Sequence, residues 1–194
     1  MKIFLVIFVL LFSSSVVAED ISDFQIEGIG IGDSLLDYFN EEEINSFRTY
    51  EYVDKEFYSM DLLNTSLTFK IYDGMQVQLK TKDNKYILHG MSGLLIYKNN
   101  EFNQCMEKLE IIKKDISNLF INYTEDEYKR SHPDDPNSKS YSYEMINNSG
   151  IITLRCLEWS KKYAKDLNLL NSLRVSAWTN DFSYWLQKKA YKNL

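Results

Sequence analysis

The strongest constraint on this sequence is an amphipathic segment that extends from residue 102 to residue 120. Its apolar residues recur at steps of three and four, so on an α-helix they would share one face, with charged residues on the other. They are Phe102, Cys105, Met106, Leu109, Ile112, Ile116, Leu119 and Phe120. Such a face needs an apolar partner, and the candidates are the strands that precede and follow it in the chain. The segment therefore predicts a helix that packs on a sheet.

Alternation of apolar and polar residues predicts three strands before this helix. Leu67 to Ile71 and Met75 to Leu79 flank Asp73-Gly74, a strong signal for a two-residue hairpin turn. Tyr86 to Tyr97 forms a third strand, with a break or bulge expected at its two glycines. These strands predict an antiparallel meander that leads into the helix.

The same alternation predicts three strands after the helix. Tyr141 to Met145 and Ile152 to Cys156 alternate on either side of a turn, and Leu173 to Ala177 forms the inner face of a further strand. Asn180 is expected to cap a terminal helix. The apolar side of that helix consists of Phe182, Trp185, Leu186 and Ala190.

These elements predict an α+β fold, mostly antiparallel sheet, with the central amphipathic helix and the C-terminal helix packed on one face. Three strands and a helix precede residues 122–140, and three strands and a helix follow them. This polar stretch contains both prolines of the chain and is predicted to be an exposed loop. We expect a single domain over 19–194, with three-strand lobes at about 19–121 and 141–194 joined by that loop.

The first eighteen residues are expected to be an export signal. Lys2 supplies the positive charge, Ile3 to Phe12 is an apolar run, and Ala18 occupies a small-residue position before the cleavage site. The run is shorter than the roughly 20 residues that a membrane helix needs, which favours cleavage after Ala18 over an uncleaved anchor. Nothing later in the chain is apolar enough to span a membrane, so a periplasmic or secreted location is expected.

The net charge of the chain limits the kinds of molecule that it is expected to bind. The chain has a formal net charge of −6, and removal of Lys2 with the signal makes it more acidic. No long basic run is present, which argues against nucleic-acid binding, because phosphate contacts need a concentrated basic surface.

Cys105 and Cys156 are the only cysteines. In an exported chain they are expected to form a disulfide, because the periplasm and the cell exterior are oxidising. Closing a loop of about fifty residues would stabilise the fold by roughly 4 kcal/mol. Two buried free thiols are the alternative. A catalytic cysteine would need a histidine beside it, and only His89 and His132 are available.

One short motif points to catalysis. Gly32-Asp33-Ser34-Leu35 resembles the first block of the GDSL esterases, in which the serine is the nucleophile. That family also has a catalytic histidine near its C-terminus, whereas the last histidine here is His132 and no imidazole base follows it. We therefore assign no catalytic residue to the chain.

Five acidic residues and His89 are the candidate metal ligands. Five carboxylates fall in the predicted loop, and their spacing matches no calcium loop, which favours an exposed acidic stretch. They are Glu125, Asp126, Glu127, Asp134 and Asp135. His89 is interpreted as a half-buried strand residue. We predict no metal site and no cofactor.

Trp159 and Trp178 are the candidate binding residues. By strand alternation they lie on the opposite face from Cys156 and Val175, where they could form an aromatic patch that recognises sugars or proteins. The alternative is that a second packed layer covers that face, because large aromatic side chains are usually buried.

Three stretches resemble a set of small exported proteins of unknown function from Pelagibacter-like marine alphaproteobacteria. They are Ile29 to Phe39, Tyr72 to Leu79 and Tyr86 to Cys105. The resemblance implies a Gram-negative periplasm and a bond between Cys105 and a later cysteine, and it implies no activity.

A fainter similarity is to the SmpA/BamE-type outer-membrane assembly lipoproteins. It comprises a glycine-rich start, two short helices capped by Asp33 and by Asn40 with Glu43, and then a meander. The chain departs from that pattern because it has no lipid-bearing cysteine at the cleavage point.

Two functional hypotheses remain. The first is a non-catalytic periplasmic binding or envelope-assembly module, whose partner is another envelope protein or a saccharide. The second is a hydrolase of unrecognised type that uses carboxylates and tyrosines. A deep pocket with paired carboxylates would favour the hydrolase.

Overall fold

The structure is a computed structural model, and it describes residues 20–62, 69–98, 101–132, 135–167 and 169–192. The expected signal peptide and its cleavage site lie outside these ranges. In the described part of the chain, no helix is both long enough and apolar enough to cross a membrane.

The fold is α+β, and the described residues form one antiparallel sheet of eight strands with a separate two-stranded ribbon near the N-terminus. The ribbon consists of β1 (Gln25–Ile26) and β2 (Ile29–Gly30). The sheet has the spatial order β3-β4-β5-β6-β10-β9-β8-β7. Its strands are β3 (Arg48–Glu51), β4 (Phe57–Asp61), β5 (Gly74–Lys80), β6 (Leu88–Tyr97), β7 (Thr124–His132), β8 (Asp135–Ile146), β9 (Gly150–Glu158) and β10 (Asn171–Thr179).

The prediction of two three-strand lobes is wrong, because β6 and β10 join both halves of the chain in one sheet. Their antiparallel register extends from Asn171 opposite Tyr97 to Trp178 opposite Gly90. Two separate sheets would each leave an additional edge strand with unpaired backbone groups. Pairing β6 with β10 satisfies those groups along the middle of the sheet.

The predicted polar loop at 122–140 is also wrong. From Thr124 onward, its described residues form β7 and the first half of β8, which pair from Thr124 opposite Ile146 to His132 opposite Asp135. Strand β7 lies at the edge of the sheet, and most of its side chains are exposed. Its sequence therefore lacks the apolar alternation that identifies a half-buried strand, and its charges are typical of a protected sheet edge.

The hairpin predicted at Asp73-Gly74 does not form. Leu67 lies outside the described residues, 69–73 are irregular, and β5 lies between β4 and β6, both antiparallel to it. The Asp73 carboxylate accepts a hydrogen bond from the Ile96 backbone N–H at 2.7 Å, which anchors the start of β5 beside the end of β6. The bulge expected in β6 is present near its first glycine, where the register shifts between Gln78 and Leu79 on the facing strand.

Helix α2 (Phe102–Leu119) packs on β9 and β10, as its amphipathic pattern predicts. It buries Cys105, Leu109 and Ile116, although Leu119 is exposed. Cys105 is bonded to Cys156 of β9, with the two Cα atoms 5.9 Å apart. The predicted disulfide is therefore confirmed.

The N-terminal residues cover the same face of the sheet as α2. Helix α1 (Glu41–Ser46) begins with the predicted capping box, in which Asn40 and Glu43 each accept a backbone hydrogen bond from the other. The preceding 3-10 helix is capped by Ser34 instead of Asp33. Farther upstream, Ile21 packs so closely on β9 that a Cβ at Gly150 would lie 2.7 Å from Ile21 Cγ1.

The prediction that both major helices share one face is wrong. Helix α4 (Asn180–Lys188) packs on the face opposite α2, and its N-cap is Thr179. Helix α3 (Lys161–Leu167) lies in the chain segment that connects the end of β9 to the start of β10. A second apolar cluster forms under α4 because alternate residues of the strands point to that side. It consists of Phe57, Phe182, Trp185 and Ala190, with Tyr52, Trp178 and Leu186 packed against it.

Candidate functional site

The sheet face opposite α2 is polar at its centre. Helix α4 packs against the end of this face that carries Phe57 and Trp178. Beyond that end, Ser92, Ser176 and Thr153 lie side by side on β6, β10 and β9. The hydroxyls of Ser92 and Ser176 are 2.8 Å apart and share a hydrogen bond.

A groove crosses this polar face and consists of three cavities that meet at Arg174. The central cavity, of about 330 Å³, is lined by Tyr52, Gln76, Gln78, Ser92, Thr153, Arg155, Arg174, Ser176, Trp178, Phe182, Leu186 and Tyr191. A cavity of about 190 Å³ adjoins it on the β4–β5 side and is lined by Tyr50, Asp61, Gly74, Met75, Gln76, Ser92, Leu94 and Arg174. A cavity of about 380 Å³ continues toward β7, lined by Tyr128, Arg130, Ser131, His132, Ser140, Arg155, Leu157, Trp159 and Arg174. The central cavity is in the size range of small-molecule sites.

The floor of the groove contains polar atoms that have no partner. Thr153 and Gln78 are only 2% and 3% exposed, and both line the central cavity. Among the described residues, Thr153 Oγ1, Gln78 Oε1 and Trp178 Nε1 lack a hydrogen-bond partner. Nearly all buried polar atoms in proteins are paired, and each unpaired one costs about 1–3 kcal/mol. Three such atoms in one cavity indicate a place where a polar ligand can supply the missing partners.

Gly90 leaves room for two of these side chains, those of Gln78 and Trp178. A Cβ at this position would lie 2.6 Å from Gln78 Oε1 and 2.9 Å from Trp178 Cδ1. The glycine therefore allows the indole and the amide to lie against the backbone of β6 at one end of the central cavity.

Two arginines lie in the middle of the groove. Arg155 donates to Ser142 Oγ at 3.0 Å and to Tyr128 OH at 3.5 Å. Solvent reaches the side chain of Arg174, yet the protein around its guanidinium lowers its pKa, mainly by desolvation and further by the charge of Arg155, against an opposing effect of Asp61. Guanidinium groups stay protonated in proteins, so both side chains are cationic.

Aromatic side chains form the wall of the central cavity near α4. Tyr52 directly follows strand β3 in the chain and packs against this helix. Its hydroxyl lies 2.8 Å from Ser59 Oγ, and its ring centroid lies 4.9 Å from that of Trp185. Burial raises the pKa of Tyr52, although the hydrogen bond with Ser59 lowers it. The phenol is therefore neutral at physiological pH and can act as a hydrogen-bonding and packing group.

The structure places Trp159 and Trp178 on the same groove but in different cavities. Trp178 lines the central cavity and is 6.1 Å from Phe182 of α4, measured between ring centroids. Trp159 lines the cavity toward β7, where its ring lies 5.1 Å from that of His132. Because Trp178 pairs opposite Ile151, the two tryptophans are separated by about 25 Å along β9. They flank the arginines instead of touching each other.

The carboxylates considered as metal ligands have ordinary contacts on the β7–β8 hairpin. Glu127 accepts hydrogen bonds from Lys113 and from Tyr141 OH, and the Lys113 bond lowers the pKa of Glu127. Asp135 accepts from Ser138, and Asp134 lies outside the described residues. Within the described ranges, no group of three or more histidines, cysteines and acidic residues is placed to hold a metal ion.

Ser34 of the GDSL-like motif is engaged in local structure. Its hydroxyl donates to the Lys85 carbonyl at 2.6 Å and accepts from the Leu36 backbone N–H at 3.1 Å. The histidine rings pack elsewhere, His89 on Phe57 at 5.3 Å and His132 on Trp159. The hydroxyl therefore lacks the base that would activate it.

We expect Ser34→Ala to leave any esterase activity of the protein unchanged. The substitution removes a helix cap, so it should lower the free energy of unfolding by about 0.5–2 kcal/mol. Hydrolysis of a chromogenic acetate ester, measured for both proteins, tests the expectation. A variant that folds but loses most of its turnover would show that Ser34 is a nucleophile.

The groove residues other than the tryptophans were missed in the sequence. The sequence did contain a signal for these residues. Strands β9 and β10 alternate buried with polar positions, and the polar positions include Thr153, Arg155, Arg174 and Ser176. An alternating pattern assigns them to one face without showing that the face is partly enclosed. Enclosure depends on α4, which directly follows β10 but packs against Phe57 of β4, and on β3, which lies far from β9 and β10 in the chain.

Comparison with known proteins gives no relative from which a function can be transferred. No protein-family model, no curated protein and no solved structure matches the chain. What the protein binds is therefore inferred from the groove.

Proposed function

We propose that this protein is a non-catalytic binding module, exported to the periplasm or secreted, and that the groove binds a saccharide. The observation that carries the proposal is the set of unpaired polar atoms on the groove floor, at Thr153, Gln78 and Trp178. Sugar hydroxyl groups donate and accept hydrogen bonds, so one ring can partner an indole N–H, an amide oxygen and a threonine hydroxyl together.

The walls of the central cavity suit a sugar ring as well as its hydroxyl groups. A pyranose exposes C–H groups on its faces and hydroxyls around its rim. Trp178, Phe182 and Tyr191 offer apolar aromatic surface, while Ser92 and Ser176 offer hydroxyls on the floor. Large rigid rings supply contact area, and buried polar groups that need partners supply selectivity.

The acid and base groups of the groove favour binding over hydrolysis. The three cavities contain one carboxylate, Asp61. It already accepts hydrogen bonds from Tyr50 OH at 2.6 Å and from Gln76 Nε2 at 2.9 Å. Most glycoside hydrolases use a pair of carboxylates on either side of the scissile bond, and this lining does not supply one.

Thr153→Val is expected to weaken saccharide binding without destabilising the protein. The hydroxyl has no partner in the described structure, so its replacement by a methyl group of similar volume removes an unsatisfied group. A ligand hydroxyl would lose one hydrogen bond, worth about 0.5–1.5 kcal/mol or roughly 2- to 10-fold in affinity. A glycan array identifies ligands of the wild type, and calorimetry then compares the variants.

Ser117→Ala is the matched control, because its hydroxyl belongs to α2 on the other side of the sheet and bonds to Tyr143 OH at 2.9 Å. It should reduce stability and leave affinity unchanged. The proposal fails if the array yields no saccharide ligand, or if Thr153→Val binds each ligand as tightly as the wild type does.

A further inference from the structure

We infer that the saccharide bound in the groove is acidic, and that its anionic group is held between Arg155 and Arg174. This inference rests on the proposed function and adds the charge of the ligand and the residues that recognise it. The ligand class is a sugar that carries one oxyanion, either a carboxylate or a phosphate.

The two arginines are direct cross-strand neighbours. Arg174 of β10 lies opposite Arg155 of β9 in the antiparallel register, and both line the central cavity. Side chains at opposite positions on one face have Cβ atoms about 4.5–5.5 Å apart, and like charges placed this way repel. The protein thus keeps an unfavourable pair of cations in the central cavity, and Arg174 of this pair also lines the two adjoining cavities.

Within the described ranges, neither guanidinium forms an ion pair. The hydrogen-bond acceptors of Arg155, Ser142 and Tyr128, are both neutral. Arg174 makes no hydrogen bond to a described residue, although solvent reaches its side chain. Two carboxylates by the groove already have other partners: Asp61 accepts from Tyr50 and Gln76, and Glu144 accepts from Tyr128, which lines the cavity toward β7. Free donors therefore remain on Arg174 for a ligand.

The shape and setting of these donors favour an oxyanion. A guanidinium presents planar donors that match carboxylate and phosphate oxygens in pairs. The Arg155 side chain is already oriented by Ser142, so it loses little freedom on binding. An anion between the two groups would also relieve their repulsion. With that end of the ligand fixed, its ring extends toward Thr153 and Trp178, which line the same cavity.

Isothermal titration calorimetry on the mature protein at low salt tests the inference by comparing the affinities of matched sugars. Each hexose that is tested is measured in three forms: the neutral sugar, its uronate and its 6-phosphate. We expect an acidic form to bind at least tenfold more tightly than its neutral parent. Preference for the uronate identifies a carboxylate ligand, and preference for the 6-phosphate identifies a phosphate ligand.

Three substitutions assign the effect to the arginine pair. Arg174→Gln and Arg155→Gln should each abolish the preference for the acidic sugar, and Arg174→Lys should retain part of it. Lys114→Gln is the control for overall charge, because Lys114 is exposed on α2 on the other side of the sheet. It should leave the preference intact. Arg174→Gln should also keep or raise the melting temperature, since it removes a like-charge neighbour.

The outcomes separate this inference from the proposed function. If neutral and acidic sugars bind equally and the glutamine variants bind like the wild type, the inference is overturned while saccharide binding stands. If no sugar of any charge binds, both are overturned. A folded Arg174→Gln variant that keeps its full preference for the acidic sugar also refutes the role of the pair.

Discussion

Replacing Cys105 and Cys156 together by serine is expected to lower the free energy of unfolding by about 2–5 kcal/mol, the usual cost of losing a native disulfide from a secreted domain. The bond joins α2 to β9 across a sequence separation of 51 residues. Without the bond this loop is no longer closed in the unfolded chain, so the unfolded state gains conformational entropy and the fold loses stability. The substitution also places hydroxyl groups at two buried positions, since Cys105 and Cys156 are 2% and 0% exposed, so desolvation adds to the cost.

Chemical denaturation of the oxidised wild type and of the double variant measures this difference. Reductant should destabilise the wild type by a similar amount and have no further effect on the variant, which serves as the control for nonspecific effects of the reductant. Two thiols that react with a thiol reagent in the native, unreduced protein would contradict the bond.

Trp185→Ala is expected to destabilise the protein by about 3–5 kcal/mol, the range for removing a buried aromatic side chain. Trp185 is 1% exposed and contacts Phe57, with ring centroids 4.9 Å apart. Its indole N–H donates to Asp54 at 3.0 Å, which lowers the pKa of that carboxyl. The substitution therefore removes the centre of the second apolar cluster. It also removes the hydrogen bond between α4 and the loop that follows β3.

Tyr184→Ala is the matched control, because this neighbouring aromatic residue on the same helix is 62% exposed. It should change stability by less than about 0.5 kcal/mol. Thermal unfolding followed by circular dichroism compares the two variants. Equal melting temperatures for Trp185→Ala and the wild type would show that α4 contributes little to the fold. Because Phe182 and Leu186 of α4 line the groove, we also expect Trp185→Ala to weaken ligand binding.

The strands that sequence alternation predicts well are those with one face in the main core. Strands β9 and β10 bury Cys156 and Val175 toward α2 and place polar residues on the other face, which produces a clear period of two. Strand β7 has no such contrast, because it lies at the edge of the sheet and its side chains are mostly exposed. Its charged sequence is indistinguishable from that of a polar loop, and this led to the wrong prediction of a loop that separates two lobes.

The candidate site could be predicted only in part. Trp159 and Trp178 were assigned to the correct strand face, and both line the groove. Their separation along β9 was not foreseen, and neither were the two arginines between them. Alternation assigns a residue to a face, whereas the depth of a groove depends on which distant elements rise above that face.

Local periodicity and the count of cysteines were enough to predict helix α2, the alternating central strands and the pairing of Cys105 with Cys156. Three further features become apparent only in the folded structure: β6 pairs with β10, α4 packs on the opposite face from α2, and Arg155 lies beside Arg174. Those features depend on backbone hydrogen bonds and apolar contacts between residues far apart in the chain. Strand alternation specifies which way a side chain points, and it leaves open which strand lies next to it.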